Sequence, residues 1–197
     1  MRVMQVDWSV ELGAEDDRLE MPWVAPDGST RYYDLKRQPE LLLQIEEAHH
    51  NRELGEFLVS ANSEHSVLET AKCDTWLTRD LTEEEAIYQA EWKFGSYADL
   101  LFSEQPVRFS FADHERFADA ACKLLKRVPE ISAAVEFILR RCAYHMGDAM
   151  KDGFYFTFYL DGYGADEDEA RRRWGIAIKL VENALLQLSA AERRAQA

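Results

Sequence analysis

Apolar and polar residues alternate strictly from Phe154 to Tyr163. Phe154, Phe156, Phe158 and Leu160 point one way, and Tyr155, Thr157, Tyr159, Asp161 and Tyr163 the other. Period-2 alternation rich in aromatics predicts a strand with one fully apolar face and one amphipathic face. Gly162 and Gly164 then read as turn residues that adopt backbone angles closed to other residues. Asp166 followed by Glu169 is a capping-box pattern, and the acids around it suit the positive end of a helix dipole. Beyond that cap, Trp174, Ala177, Ile178, Val181, Leu185 and Leu188 recur at helical period, and Ile176 and Leu180 widen the stripe toward a helix covered on more than one side.

The same reading applied from the N-terminus predicts more elements. Val6, Trp8, Val10 and Leu12 alternate with Asp7, Ser9 and Glu11 as a first strand. A second runs through Leu19–Val24, where Pro22 marks an edge or bulge, and Pro26-Asp27-Gly28 turns it into a short strand at Thr30–Leu35. Pro39 opens a helical face of Leu41, Leu42, Ile45 and Ala48, interrupted at His49-His50-Asn51 and resumed by Leu54, Phe57 and Leu58. Another strand follows at 67–76. Thr82 and Glu85 form a second capping box, predicting a helix through Phe94 that stops at Gly95. Val107, Phe109 and Phe111 alternate as a strand. Asp113 caps a helix with the stripe Phe117, Ala120, Ala121, Leu124, Leu125 and Val128, ended by Pro129. A strand from Val135 to Tyr144 and a polar loop at 147–153 lead back to the Phe/Tyr strand.

These elements predict an α+β protein with a mostly antiparallel sheet and helices packed mainly on one face. The C-terminal half has the order β-α-β-β-α, five of the six elements of a ferredoxin-like unit, and the N-terminal half must complete the sheet. No Gly/Ser/Pro-rich linker separates the sub-regions 1–80 and 81–197, so residues 1–197 are expected to form a single interlocked domain.

Composition narrows the partners. Of 197 residues, 47% are hydrophobic, enough for a sizeable core, so wholesale disorder is excluded. The 23 Lys and Arg against 37 Asp and Glu leave a net charge of −14, which repels phosphate backbones. Nucleic acid and anionic membranes are therefore not expected partners. No apolar run reaches the roughly 18 residues of a membrane span. Cys73, Cys122 and Cys142 have no paired spacing and read as reduced thiols, which fits a cytoplasmic location.

If the 135–144 and 154–161 strands pair antiparallel, Val135, Phe137 and Leu139 join the phenylalanine row. The reverse face then gathers Ile138, Arg140, Cys142 and Tyr144 beside Tyr155, Thr157, Tyr159 and Asp161. Tyrosine and arginine combine apolar area with a polar tip, the profile of interface anchors. Three uses of this face are open: a second core layer, a homodimer interface, or a ligand pocket walled by Tyr144, Tyr155, Tyr159, Arg140 and Asp161. The leading functional expectation is a non-catalytic interaction or regulatory protein that self-associates through it. The alternative is a small-molecule-binding protein or cofactor-independent enzyme using the same face.

The other signals are weaker. Glu46, His49, His50 and Glu53 place carboxylates and imidazoles at helical spacing, but a di-iron site needs that motif on two helices, so a solvated helix end is the better reading. Cys142 and His145 lie three apart on a strand and face opposite ways, so they form no local dyad. His114, beside a helix cap, reads as structural. Gly162-Tyr-Gly164 lacks the dinucleotide and P-loop signatures, and no hydrolase, zinc or redox motif is present. No cofactor is implied, and no catalytic set stands out.

Overall fold

The computed structural model describes residues 4–127 and 131–196. One six-stranded sheet draws its strands from both halves of the chain. The strands are β1 (Gln5–Glu11), β2 (Arg18–Met21), β3 (Leu68–Thr78), β4 (Trp92–Phe102), β5 (Ala133–Met146) and β6 (Ala149–Gly164). The order is β1-β5-β6-β4-β3, and β2 continues along β5 beyond the end of β1. The β3–β4, β4–β6 and β5–β6 pairs are antiparallel, whereas β1 and β2 run parallel to β5. The sheet is thus mixed, not purely antiparallel.

The central hairpin is antiparallel, and Val135, Phe137 and Leu139 share a face with the phenylalanine row as expected. Val135 pairs with Leu160, Phe137 with Phe158 and Leu139 with Phe156, and all six side chains are buried. Three helices lie over this face: α2 (Arg52–Ala61), α4 (Phe111–Leu125) and α5 (Glu167–Gln196). Leu54, Phe57 and Leu58 of α2, Phe117, Ala121 and Leu125 of α4, and Trp174, Ile178 and Val181 of α5 form one continuous core with the strand residues. Trp174 is fully enclosed, and its indole N–H donates to Ser96 Oγ at 2.8 Å. The serine leaves room for the ring and satisfies its polar edge. Leu188 packs at the margin of this core, but Ile176 points outward and is half exposed, so that side of α5 is not covered.

Several expected elements are replaced. The capping box at Thr82 and Glu85 does form, in both directions, at 3.4 and 2.6 Å. It caps only a 3-10 turn, Glu84–Tyr88, which Gln89 ends at φ +48°. The chain from Trp92 onward is β4, not helix, because Phe94, Ser96, Ala98, Leu100 and Phe102 alternate into the core. The strand expected at 107–111 is instead α3 (Gln105–Arg108) followed by the start of α4. Ser110, not Asp113, caps α4, accepting a hydrogen bond from the Asp113 N–H. Val128 and Pro129 lie outside the described residues. From β4 onward the described elements run β4, α3, α4, β5, β6 and α5.

In the N-terminal half, a 3-10 turn at Pro39–Gln44 and the short α1 (Glu46–His50) precede α2. Residues 30–35 form no strand beyond one bridge between Val24 and Arg31. The expected loop at 147–153 is a two-residue hairpin: Met146 pairs with Ala149, and Gly147 turns the chain at φ +62°. Asp166 caps α5, accepting from the Glu169 N–H at 2.8 Å, while Glu169 reaches back to the Ala165 N–H at 2.7 Å. Among the described residues, no helix is long and apolar enough to cross a membrane.

Candidate functional site

The sheet face turned away from the helices is covered at both ends and open in the middle. Alternation sends Arg140, Cys142 and Tyr144 of β5 and Tyr155, Thr157, Tyr159 and Asp161 of β6 to this face, as the sequence predicts. Pairing of β4 with β6 adds Tyr97 opposite Tyr159 and Asp99 opposite Thr157.

One end is a second small core. Leu19 and Met21 of β2 pack with Leu101, Cys142, Tyr144 and Tyr155, flanked by Trp23, Tyr32, Ala71 and Phe109. The Trp23 indole N–H donates to the Ala71 carbonyl at 2.9 Å, and the Tyr144 hydroxyl donates to the Phe154 carbonyl at 2.8 Å. The structure therefore places Cys142 and Tyr144 under the chain's own N-terminal segment, away from solvent. Tyr155 is buried at the boundary between this cluster and the open middle.

The 3-10 turn Glu84–Tyr88 covers the other end. Tyr88 stacks on Tyr163 with ring centroids 3.9 Å apart, and Glu85 accepts from the Tyr163 hydroxyl at 2.8 Å and from Lys93 Nζ at 2.7 Å. Asp161 belongs to this end. Its Oδ1 is buried without a hydrogen bond, and burial pushes its carboxyl up to about 6.

Between the covers lies a cavity of about 290 Å³, lined by Asp17, Arg18, Leu19, Lys72, Tyr97, Asp99, Arg140, Tyr155, Thr157 and Tyr159. Arg140, Tyr155, Thr157 and Tyr159 are thus brought together as the sequence predicts, while Cys142, Tyr144 and Asp161 stand apart from them. Asp99, only 4% exposed, is the new member. The Thr157 hydroxyl donates to Asp99 Oδ1 at 2.7 Å and accepts from Arg140 Nη1 at 3.1 Å. Arg140 Nε donates to Glu11 Oε2 at 2.8 Å, and its Nη1 lies 3.8 Å from Asp17. Burial pushes the Asp99 carboxyl up to about 6, against the Thr157 hydrogen bond and the charges of Lys72 and Arg140. Burial likewise raises the Tyr97 and Tyr155 phenols, which stay protonated.

A second hollow of about 520 Å³ adjoins the first along β3, and Lys72 and Tyr97 line both. Trp23, Tyr33, Leu58 and Cys73 contribute to its walls. Burial pushes the Cys73 thiol up to about 12, so it is a poor nucleophile.

The remaining sequence candidates do not converge on this face. His49 and His50 are exposed on α1, and the His49 ring nitrogen Nε2 contacts the Leu43 carbonyl at 2.8 Å. Glu46 is exposed, whereas Glu53 lies beside Gly175 of α5. Among the described residues, no three His, Cys, Asp or Glu side chains are grouped to hold a metal ion. His114 is fully buried against Phe102, Phe154 and Phe156, where burial pushes its imidazole down to about 4.

Sequence reasoning misses Asp99 because β4 is disguised. Gly95, Ser96 and Ala98 are small, so the alternation of Tyr97 and Asp99 against Phe94, Leu100 and Phe102 is diluted. No protein family, curated protein or solved structure matches the chain.

Proposed function

We propose that the chain is a small-molecule-binding protein whose site is the cavity between the two covers of the sheet. The observation that carries this reading is a buried carboxylate, Asp99, in a concave site built from three tyrosines and one ordered arginine. Pockets of this kind combine ring surface with a few placed polar groups, and a cavity of about 290 Å³ suits a small ligand. Burial raises the Asp99 carboxyl to about 6, which suits it to accept or give a proton on a bound molecule. The same geometry therefore supports cofactor-independent acid–base chemistry. A fragment screen by two-dimensional NMR tests the reading. Hits are expected to shift the resonances of Tyr97, Thr157 and Tyr159 together, and Tyr159→Ala is expected to abolish those shifts. Fragments that scatter over the surface, or leave these residues unmoved, overturn it.

A second reading, self-association as a homodimer with a non-catalytic role, is favoured by the half-exposed rings of Tyr97, Tyr159 and Trp76 on the same face. The buried Tyr144 and Tyr155 are not available to it without moving the N-terminal cover. Under this reading light scattering gives twice the 22.8 kDa chain mass, and Tyr159→Asp gives the chain mass. Equal, monomeric masses for both proteins remove the homodimer.

The run β4-α4-β5-β6-α5, with β3 beside β4, supports a ferredoxin-like assignment for this part of the sheet. Strands from both halves in one sheet support a single interlocked domain over 1–197.

A further inference from the structure

We propose that the ligand of this cavity carries a protonated amine, which pairs with Asp99 beside the rings of Tyr97 and Tyr159. The inference rests on the cavity being the binding site and concerns the chemical class of its occupant. A carboxylate withdrawn from water needs a cationic or hydrogen-bonding partner. Asp99 has half of one: its Oδ1 accepts from the Thr157 hydroxyl at 2.7 Å, and among the described residues it forms no ion pair with a Lys or Arg nitrogen within 4.0 Å.

The cations lining the cavity act on Asp99 only at a distance or through Thr157. Arg140 is paired with Glu11 at 2.7 Å, Arg18 with Asp152 at 2.6 Å, and Lys72 Nζ stands 5.0 Å above the centre of the Trp23 ring. The ring centroids of Tyr97 and Tyr159 lie 6.0 Å apart at 45°, the Arg140 guanidinium stands 6.0 Å from the Tyr159 centre, and ring faces attract cations. An anionic ligand would meet Asp99 and Asp17, and a neutral one would leave Asp99 without a direct ion partner. A primary ammonium donates charge-assisted hydrogen bonds to the Asp99 carboxylate while its carbon chain rests on the rings. The net charge of −14 favours the approach of a cation.

Two matched sets of probes separate charge from shape: tyramine, tyrosol and 4-hydroxyphenylacetate, and the smaller butylamine, 1-butanol and butyrate. Each is titrated into the intact protein by calorimetry and NMR. At least one amine is expected to bind about tenfold or more tighter than its alcohol and acid. Asp99→Asn is expected to remove that preference, and Lys72→Met to tighten amine binding severalfold by removing a competing cation. An alcohol or acid that binds as well as its amine, or an amine affinity that survives Asp99→Asn, overturns the amine class and leaves the cavity as the site. If neither amine binds, the amine inference falls. Whether the cavity reading falls with it is decided by the neutral and acidic fragments of the broader screen.

Discussion

Alanine at Gly162 is expected to unfold the protein or to cost roughly 4 kcal/mol or more in urea titrations. The residue lies in β6 where α5 crosses it. A Cβ built on its backbone would fall 2.5 Å from the Ala170 carbonyl oxygen and 2.7 Å from Trp174 Cα, with the Trp174 nitrogen closer still. Those atoms are helix backbone and cannot rotate away. Relief requires α5 to lift from the sheet, which would withdraw the fully buried Trp174 from Phe94 and Ser96. Two comparisons isolate the cause. Gly162→Asn should be at least as damaging, although asparagine tolerates left-handed backbone, because Gly162 does not have a positive φ. Gly175→Ala, whose added Cβ would meet only the Glu53 side chain at 3.4 Å or more, should be neutral or stabilising by about 0.5–1 kcal/mol. A Gly162→Ala protein within about 1 kcal/mol of wild type would show that α5 does not approach the strand this closely.

That glycine also shows where sequence reasoning succeeds and where it stops. The position of Gly162 between an alternating strand and a capped helix was legible, but the reason for it was not. A turn glycine and a close-approach glycine look alike until the partner surface is known. The two faces of β5 and β6 were readable because Phe, Leu and Val on one side contrast with Arg, Tyr and Thr on the other. The β4 strand was hidden because small residues weaken that contrast, and because a genuine capping box at Thr82 announces a helix that extends for only one 3-10 turn. The segment 107–111 failed the opposite way. Phe109 and Phe111 alternate without forming a strand, since each packs on its own aromatic partner, Tyr144 and Phe154.

The candidate site divides along the same line. Arg140, Tyr155, Thr157 and Tyr159 could be assigned to one face from periodicity alone. Asp99 could not, because among 37 acidic residues nothing local distinguishes the one that the fold buries. Its burial depends on β4 lying next to β6, and on Asp17 and Leu19 arriving from a distant part of the chain. The N-terminal segment that turns half of the tyrosine face into a second core is also the wall of the cavity, so core and site are parts of one arrangement.

Asp99→Asn is expected to stabilise the folded protein by about 2 kcal/mol at pH 8 and to change it little at pH 4. The sign follows from the two states. The folded carboxyl holds its proton up to about pH 6, whereas the unfolded one releases it near 3.8. Between these values the folded state binds more protons, so the contribution of Asp99 to stability falls as pH rises through this window and stays low above it. A shift of about two units corresponds to about 3 kcal/mol as an upper figure. Asparagine retains an acceptor for the Thr157 hydroxyl and carries no charge, so it removes the cost of burial while keeping the hydrogen bond. Asp161 and His114 also titrate differently on folding. His114 acts in the opposite sense, because its lowered value makes stability fall with decreasing pH below its ordinary 6.5. Both are present in the variant, so the difference between the two proteins at each pH isolates Asp99. Urea midpoints at pH 4, 6 and 8 provide the measurement. A variant less stable than wild type at pH 8, or a gain independent of pH, would mean that the carboxylate is held by the fold as a structural partner. A gain that grows with pH marks a charge the folded protein retains at a cost to its own stability, as expected of a group placed for a ligand and not for the fold.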